Sequence, residues 1–216
     1  MRAQDLTAAA KEEWEQALKA ANDLAVRSNP KSPQPLAMLL QLAAQWKWQS
    51  DAEALLWTIV NNFPNERSAA QALARALFIG GQTRPLMMFY SQELKRSPSD
   101  LGIKNNLAMT ALLLDAQELK PHDLAREAYQ KAPTNSAYVS TYAFSLHLQK
   151  KDAEAMKVMQ QLPTKALEDP SIAGYYGLIL KATGNPGKAK VYLEWASKAP
   201  MLPEEKKLFD RAKAGS

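Results

Sequence analysis

The sequence predicts an all-α fold built from repeated helical hairpins, on three observations. Apolar residues recur three and four apart, as in Trp14, Ala17, Leu18, Ala21, Leu24 and Ala25, which aligns them on one helix face. Proline falls between such segments: Asn29-Pro30, Phe63-Pro64, Ser97-Pro98, Ala132-Pro133, Leu162-Pro163 and Ala199-Pro200 each close one. Proline cannot continue a helix, and it drives the residue before it out of the helical region. Third, the breaks are periodic. Pro30, Pro64 and Pro98 recur at one constant interval, and Pro133 follows a single position late. A fixed period of this length marks stacked repeats. About a dozen helices of roughly 10 to 16 residues follow from this pattern, joined by short turns.

Interior positions keep the same register. Leu73-Ala74, Leu107-Ala108, Tyr142-Ala143 and Tyr176-Gly177 are large-small pairs that recur at the proline interval, to within one position. Three residues after each small residue stands Leu77, Ala111, Leu146 or Leu180; seven after it, where a turn is due, stands Gly81, Asp115, Lys150 or Gly184. A small residue lets a second helix approach the first, and apolar neighbours fill the groove beside it. Each hairpin leaves an apolar face that the next must cover.

These residues resemble the tetratricopeptide repeat. Ala173, Tyr176, Gly177, Leu180, Gly184, Ala189, Leu193, Ala196 and Pro200 form the best copy, and Ala70, Leu73, Ala74, Leu77, Gly81, Leu86, Tyr90 and Pro98 a close second. The resemblance implies a right-handed α-α superhelix of about five helix-hairpin repeats plus N- and C-terminal helices. The repeats are placed at 33–64, 66–98, 100–133, 135–163 and 169–200, in a single solenoid spanning 1–216. Residues 5–28 within 1–30 read as a lone helix, a half repeat or an N-terminal cap. Pro203–Lys213 reads as a capping helix, with Pro203 and Glu204-Glu205 suiting its start and Leu208 and Ala212 facing inward. Two irregularities are expected. Leu40 stands where the first repeat needs a small residue, so Ala43 or Ala44 takes that role after a slip. In the third repeat Ala125 follows Ala108 five positions later than Leu86 follows Ala74, which places an insertion at about 115–123.

Composition narrows the function classes. Hydrophobic residues make up 46% and charged residues 23%, the balance of a folded chain. The net charge is +5, spread in pairs such as Lys95-Arg96 and Lys150-Lys151, which reads as a solvated surface. There is no cysteine, hence no disulfide framework, thiolate metal site or cysteine nucleophile. No apolar run approaches the roughly 18 to 20 residues of a membrane span. The expected setting is a soluble one, cytoplasmic or periplasmic, and the segment is equally compatible with a piece of a longer protein. His122 and His147 stand outside any metal-ligand or triad spacing. Gly80-Gly81 is a turn and not a phosphate loop. No cofactor, no metal and no catalysis are expected. Trp46 and Trp48 flank Lys47, but two residues apart on a helix they diverge by about 200°, so one packs and the other lies at a rim.

The resemblance directs attention to the first helix of each pair, which lines the concave side in this family and there receives a peptide or helix. By register the inward residues are Arg75 and Phe78, then Asn105, Met109 and Leu112, then Ser140, Phe144 and His147, then Leu178 and Lys181, with Gln71 and Gly174 beside them. An apolar centre with a polar rim suits an amphipathic segment. The resemblance does not extend to a carboxylate clamp: Asn105 alone fits, while Met109, Ser140 and Phe144 stand where other polar or basic groups are needed. The leading expectation is therefore a protein- or peptide-binding scaffold. Self-association is a second. RNA binding is a third, weakened because Arg75 and Lys181 are the sole cations on the stripe. The same stripe would be covered if a terminal helix folded into the groove.

Overall fold

The computed structural model describes the backbone of residues 8–28 and 31–214, and side chains from residue 12 onward. Residues 5–7 of the expected first helix and the Asn29-Pro30 break lie outside the described residues. The helices are α1 (Ala8–Arg27), α2 (Gln34–Gln45), α3 (Gln49–Asn62), α4 (Arg67–Ile79), α5 (Thr83–Arg96), α6 (Leu101–Leu113), α7 (Pro121–Lys131), α8 (Ser136–Leu148), α9 (Asp152–Met159), α10 (Thr164–Leu167), α11 (Pro170–Ala182), α12 (Pro186–Ala196) and α13 (Pro203–Ala214). No strand occurs among the described residues, and the all-α hairpin expectation holds.

The period appears in the backbone as one turn made five times. Lys47, Gly81, Asp115, Lys150 and Gly184 all have positive φ, between 54° and 83°. After each, an amide reaches back across the helix end: Trp48 N to Ala43 O, Gln82 N to Leu77 O, Ala116 N to Ala111 O, Lys151 N to Leu146 O and Asn185 N to Leu180 O, all at 2.8–3.0 Å. This six-to-one bond closes a helix through a left-handed residue and satisfies one of its orphan carbonyls. The first helices of three pairs also begin alike. Asp100, Asn135 and Asp169 each accept backbone N–H bonds, from Ile103, from Ala137 and Tyr138, and from Ser171. Side-chain acceptors at this position stabilise a helix start by about 1 kcal/mol.

The turn corrects one expectation. Lys47 precedes Gly81 by the same interval that separates Gly81 from Asp115, so Ala43 aligns with Leu77 and no slip occurs. Leu40 keeps the small-residue position and is half-buried. Twelve residues later comes Ala52, where the second repeat has Leu86. The large and small partners have been exchanged across the register. The expected insertion in the third repeat is present. A 3-10 turn at Gln117–Leu119 and left-handed Lys120 (φ 51°) delay α7 until Pro121. Lys104 Nζ to Glu127 Oε1, at 2.7 Å, then ties α6 to α7.

The chain forms two compact units, residues 1–76 and 77–216. In the first, α1 packs on α2 and α2 on α3. Ala25, Leu36, Ala43, Leu55, Ile59 and Val60 are buried there. Trp14 Nε1 donates to Asp51 Oδ1 at 2.9 Å, and its ring meets Trp48 edge-on at 5.1 Å. Trp48 is 5% exposed and Trp46 45%, a core and a rim residue as expected, but not for the expected reason: they share no helix, left-handed Lys47 stands between them, and their rings meet at 4.7 Å. In the second unit, α8 lies between α6 and α11, and α7, α9 and α12 pack as their hairpin partners. Ala108, Ala143 and Gly177 are buried at the hairpin contacts. A Cβ on Gly177 would lie 2.8 Å from Leu193 Cγ and 3.1 Å from the Ala189 carbonyl oxygen. The closest helix approach therefore falls where the register puts it.

Three glycine variants separate these causes in urea unfolding. Gly177→Leu overpacks α11 on α12 and is expected to cost about 1–3 kcal/mol. Gly184→Ala meets no atom within 4 Å but keeps φ at 83°, so its expected cost is purely conformational, roughly 1–2 kcal/mol. Gly187→Ala is equally unobstructed and lies in the first turn of α12; it should be neutral or stabilise by up to about 1 kcal/mol. Equal stability of the first and third variants would refute the assigned contact.

Candidate functional site

The first helices of the second unit present their inner faces side by side, and α13 lies across them. Leu112, Phe144, Tyr175, Leu178, Leu193, Ala196 and Phe209 form one core cluster, with Met109, Leu113, Met201, Leu208 and Ala212 packed against it. Phe144 is only 2% exposed. The Phe144, Tyr175 and Phe209 rings meet in series, the first pair tilted and the second edge-on, with centroid separations of 4.8 and 5.2 Å. Gly174 makes the seat for Phe209: a Cβ there would collide with the ring, 2.5 Å from Cε2.

Polar contacts fix α13 at both ends. At its start, Thr83 donates to Glu204 and the Tyr175 hydroxyl donates to Glu205. The Leu202 amide donates to the second oxygen of Glu205 at 2.8 Å. At its end, Lys181 Nζ donates to the Ala212 carbonyl at 2.5 Å, filling one of the acceptors a helix C-terminus leaves open. Burial pushes the Glu205 carboxyl above its ordinary value, against the opposing pull of the bonds from Tyr175 and Leu202, and neighbouring Glu204 adds to the rise. Burial, with the Glu205 charge beside it, also raises Tyr175 well above a normal phenol.

The structure thus sorts the expected inward residues. Leu112, Phe144 and Leu178 are brought together but covered by α13, so they form no open stripe. Asn105 and Met109 border a cavity of about 200 Å³ beneath the first half of α13, and Phe78, Ser140, Tyr175, Glu205 and Phe209 also line it. Lys181 holds the end of α13. His147 is turned away to the α8–α9 turn, where Nδ1 meets Asp152 Oδ1 at 2.5 Å. Arg75 is exposed and belongs to the first unit. The capping-helix expectation captured Leu208 and Ala212 but missed Phe209, the buried anchor of α13. Its signal was available: a single phenylalanine in a helix with seven charged residues out of twelve.

TTC0263, a thermophilic TPR protein of Thermus thermophilus, superposes with a TM-score of 0.53 at 16% identity, over 84% of this chain and 98% of that one. YrrB, a TPR protein described as having an unusual peptide-binding site, matches with a TM-score of 0.52 at 12% identity, over 93% and 97%. The chain has the tetratricopeptide-repeat fold. MamA is likewise similar to it, with a TM-score of 0.55 at 10% identity, over 81% and 92%. No protein-family model matches the chain, and no curated protein matches it in sequence. Sequence likeness to other tetratricopeptide folds is thus low, and what the matches share is backbone architecture. Among the described residues, no group of three His, Asp or Glu side chains is placed to hold a metal, and no helix is long and apolar enough to cross a membrane.

The raised carboxyl gives a pH test with a defined sign. A carboxyl whose folded value is raised contributes stability that is full below its ordinary value of 4.5 and is lost as pH rises through the folded value. Thermal melts of the native chain and Glu205→Gln should therefore diverge in favour of the native chain as pH is lowered from about 7 to about 5. A difference that does not change with pH would show that the carboxyl is not buried in solution.

Proposed function

We propose that this protein is a non-catalytic protein-interaction scaffold, and that the inner face of α6, α8 and α11 receives an amphipathic segment of a partner. The observation that carries the reading is α13 itself. An aromatic anchor, a glycine seat and hydroxyl or ammonium contacts at both helix ends already accommodate one amphipathic helix on this face. Helix-in-groove recognition uses the same means. The similarity to YrrB, whose description names a peptide-binding site, is in keeping with it. The histidines argue for structure over catalysis. His122 Nδ1 lies 2.8 Å from the Ser145 hydroxyl, which is fully buried and cannot meet a substrate, and His147 is engaged with Asp152. RNA binding is disfavoured because Lys181 is committed to the Ala212 carbonyl.

Phe144→Asp is not a usable probe, since a charge at so buried a position would unfold the unit. Met109, half-buried at the cavity, is better. In native pull-downs, Met109→Glu is expected to reduce retention of a specific partner at least tenfold, while Lys190→Glu, on an exposed site of α12, leaves it unchanged. A partner retained equally by all three proteins would place the interaction elsewhere.

A second reading, self-association, is favoured by the first unit. Met38, Leu42 and Trp46 follow at four-residue intervals along and just beyond α2, and all are exposed. Such a stripe is suited to burial against another copy. Sedimentation should show concentration-dependent dimers of the native chain that Trp46→Lys abolishes; a monomer at every concentration rules this reading out.

A further inference from the structure

The groove's present occupant fits it imperfectly. Asn105 and Ser140 are 6% and 2% exposed, yet Asn105 Oδ1 and Ser140 Oγ have no hydrogen-bond partner. Both residues line the cavity of about 200 Å³ left beneath α13. A buried polar group without a partner gives up the hydrogen bonds it makes to water in the unfolded chain. Helix α13 buries Phe209, but most of its length is charged, and no apolar residue of it reaches full burial beside Phe209. Its attachments are concentrated at a few points: the Phe209 ring on Gly174 with Leu208 and Ala212 packed beside it, two carboxyls on two hydroxyls, and a carbonyl on Lys181. A short link, residues 197–202, keeps it close, and a tether of this kind supplies an effective concentration in the millimolar range without requiring a tight fit.

Resting on the reading of this face as the interaction groove, we propose that α13 is a displaceable occupant, and that the partner is an amphipathic helix of the same chemistry. That helix has an acidic first turn and an aromatic residue four or five positions on, as Glu204, Glu205 and Phe209 are spaced here. It also carries a hydrogen-bond donor for Asn105 Oδ1 and Ser140 Oγ, which α13 lacks. The acidic turn meets the Thr83 and Tyr175 hydroxyls, and the aromatic ring takes the Gly174 seat. The partner's advantage over α13 is the filled cavity and the two satisfied polar atoms. Its handicap is the fraction of molecules in which α13 is docked, which lowers the apparent affinity in proportion.

The test uses the full-length chain and a fluorescent peptide of residues 201–214 as probe, read by anisotropy. The native chain is compared with Glu205→Ala/Phe209→Ala, which loosens α13 and leaves the groove walls intact. The double variant is expected to bind the peptide at least tenfold more tightly than the native chain, and a peptide carrying Phe209→Ala should bind neither. Equal binding by both chains would overturn the proposal while leaving the groove as a helix site. A folded double variant that binds no peptide would overturn the proposal and the groove reading together. Loss of cooperative unfolding in the double variant would make α13 part of the fold and overturn displacement. Thr83→Val then provides a milder check, since it removes only the bond to Glu204 at the rim. A severalfold gain in peptide affinity supports the proposal, and no gain overturns it. If the native chain forms dimers that exchange a labelled α13, the occupant is a second copy and not a partner helix.

Discussion

Everything in this fold depends on how each first helix ends. A left-handed residue followed by a six-to-one hydrogen bond reverses the chain at Lys47, Gly81, Asp115, Lys150 and Gly184. After four of these turns, at Lys47, Gly81, Lys150 and Gly184, the following helix starts two residues on, so the residues twelve and sixteen beyond the small position return to it. Two of the five positions are glycine. At the other three, side chains accept a conformation that L-residues disfavour by roughly 1–2 kcal/mol. The turn is maintained there by the packing of the two helices it joins, which outweighs that local cost.

The uniform turn also explains how irregular sequence is absorbed. Leu40 and Ala52 exchange the sizes found at Ala74 and Leu86, which keeps their summed volume, a kind of change that cores tolerate. The insertion in the third repeat comes after the turn, not within it. The reversal at Asp115 is intact, and the extra residues are spent in a 3-10 turn before Pro121 restarts the helix. Neither irregularity disturbs the first helices, so α6, α8 and α11 present a continuous inner surface in the second unit.

Much of this was legible from residue spacing. Periodic prolines, the large-small pairs and the turn positions announced the hairpins, because close helix packing leaves few residue types at those points. The recurring caps Asp100, Asn135 and Asp169 carried the same period in plain view, and their spacing would have sharpened the helix starts. The state of the groove was not legible. Met109, Leu112, Phe144 and Leu178 form the same apolar pattern whether water, a partner or the chain's own last helix covers them. Residue types cannot tell these apart, since the covering contact is made between segments far apart in sequence. The weakly apolar α13 offered one phenylalanine as its signal, and a solvent-facing cap would have looked much the same.

Gly174 shows what such an arrangement entails. Its missing side chain meets the aromatic tip of α13, whereas at Gly177, three residues along the same helix, the missing side chain meets the hairpin partner. One glycine serves the hairpin and the other serves the guest. A single methyl group at residue 174 would act as a doorstop, holding the last helix off its seat while the hairpin beneath it kept its own contacts. Architecture and occupancy are thus encoded on one helix by two neighbouring glycines, and either can vary without rewriting the other.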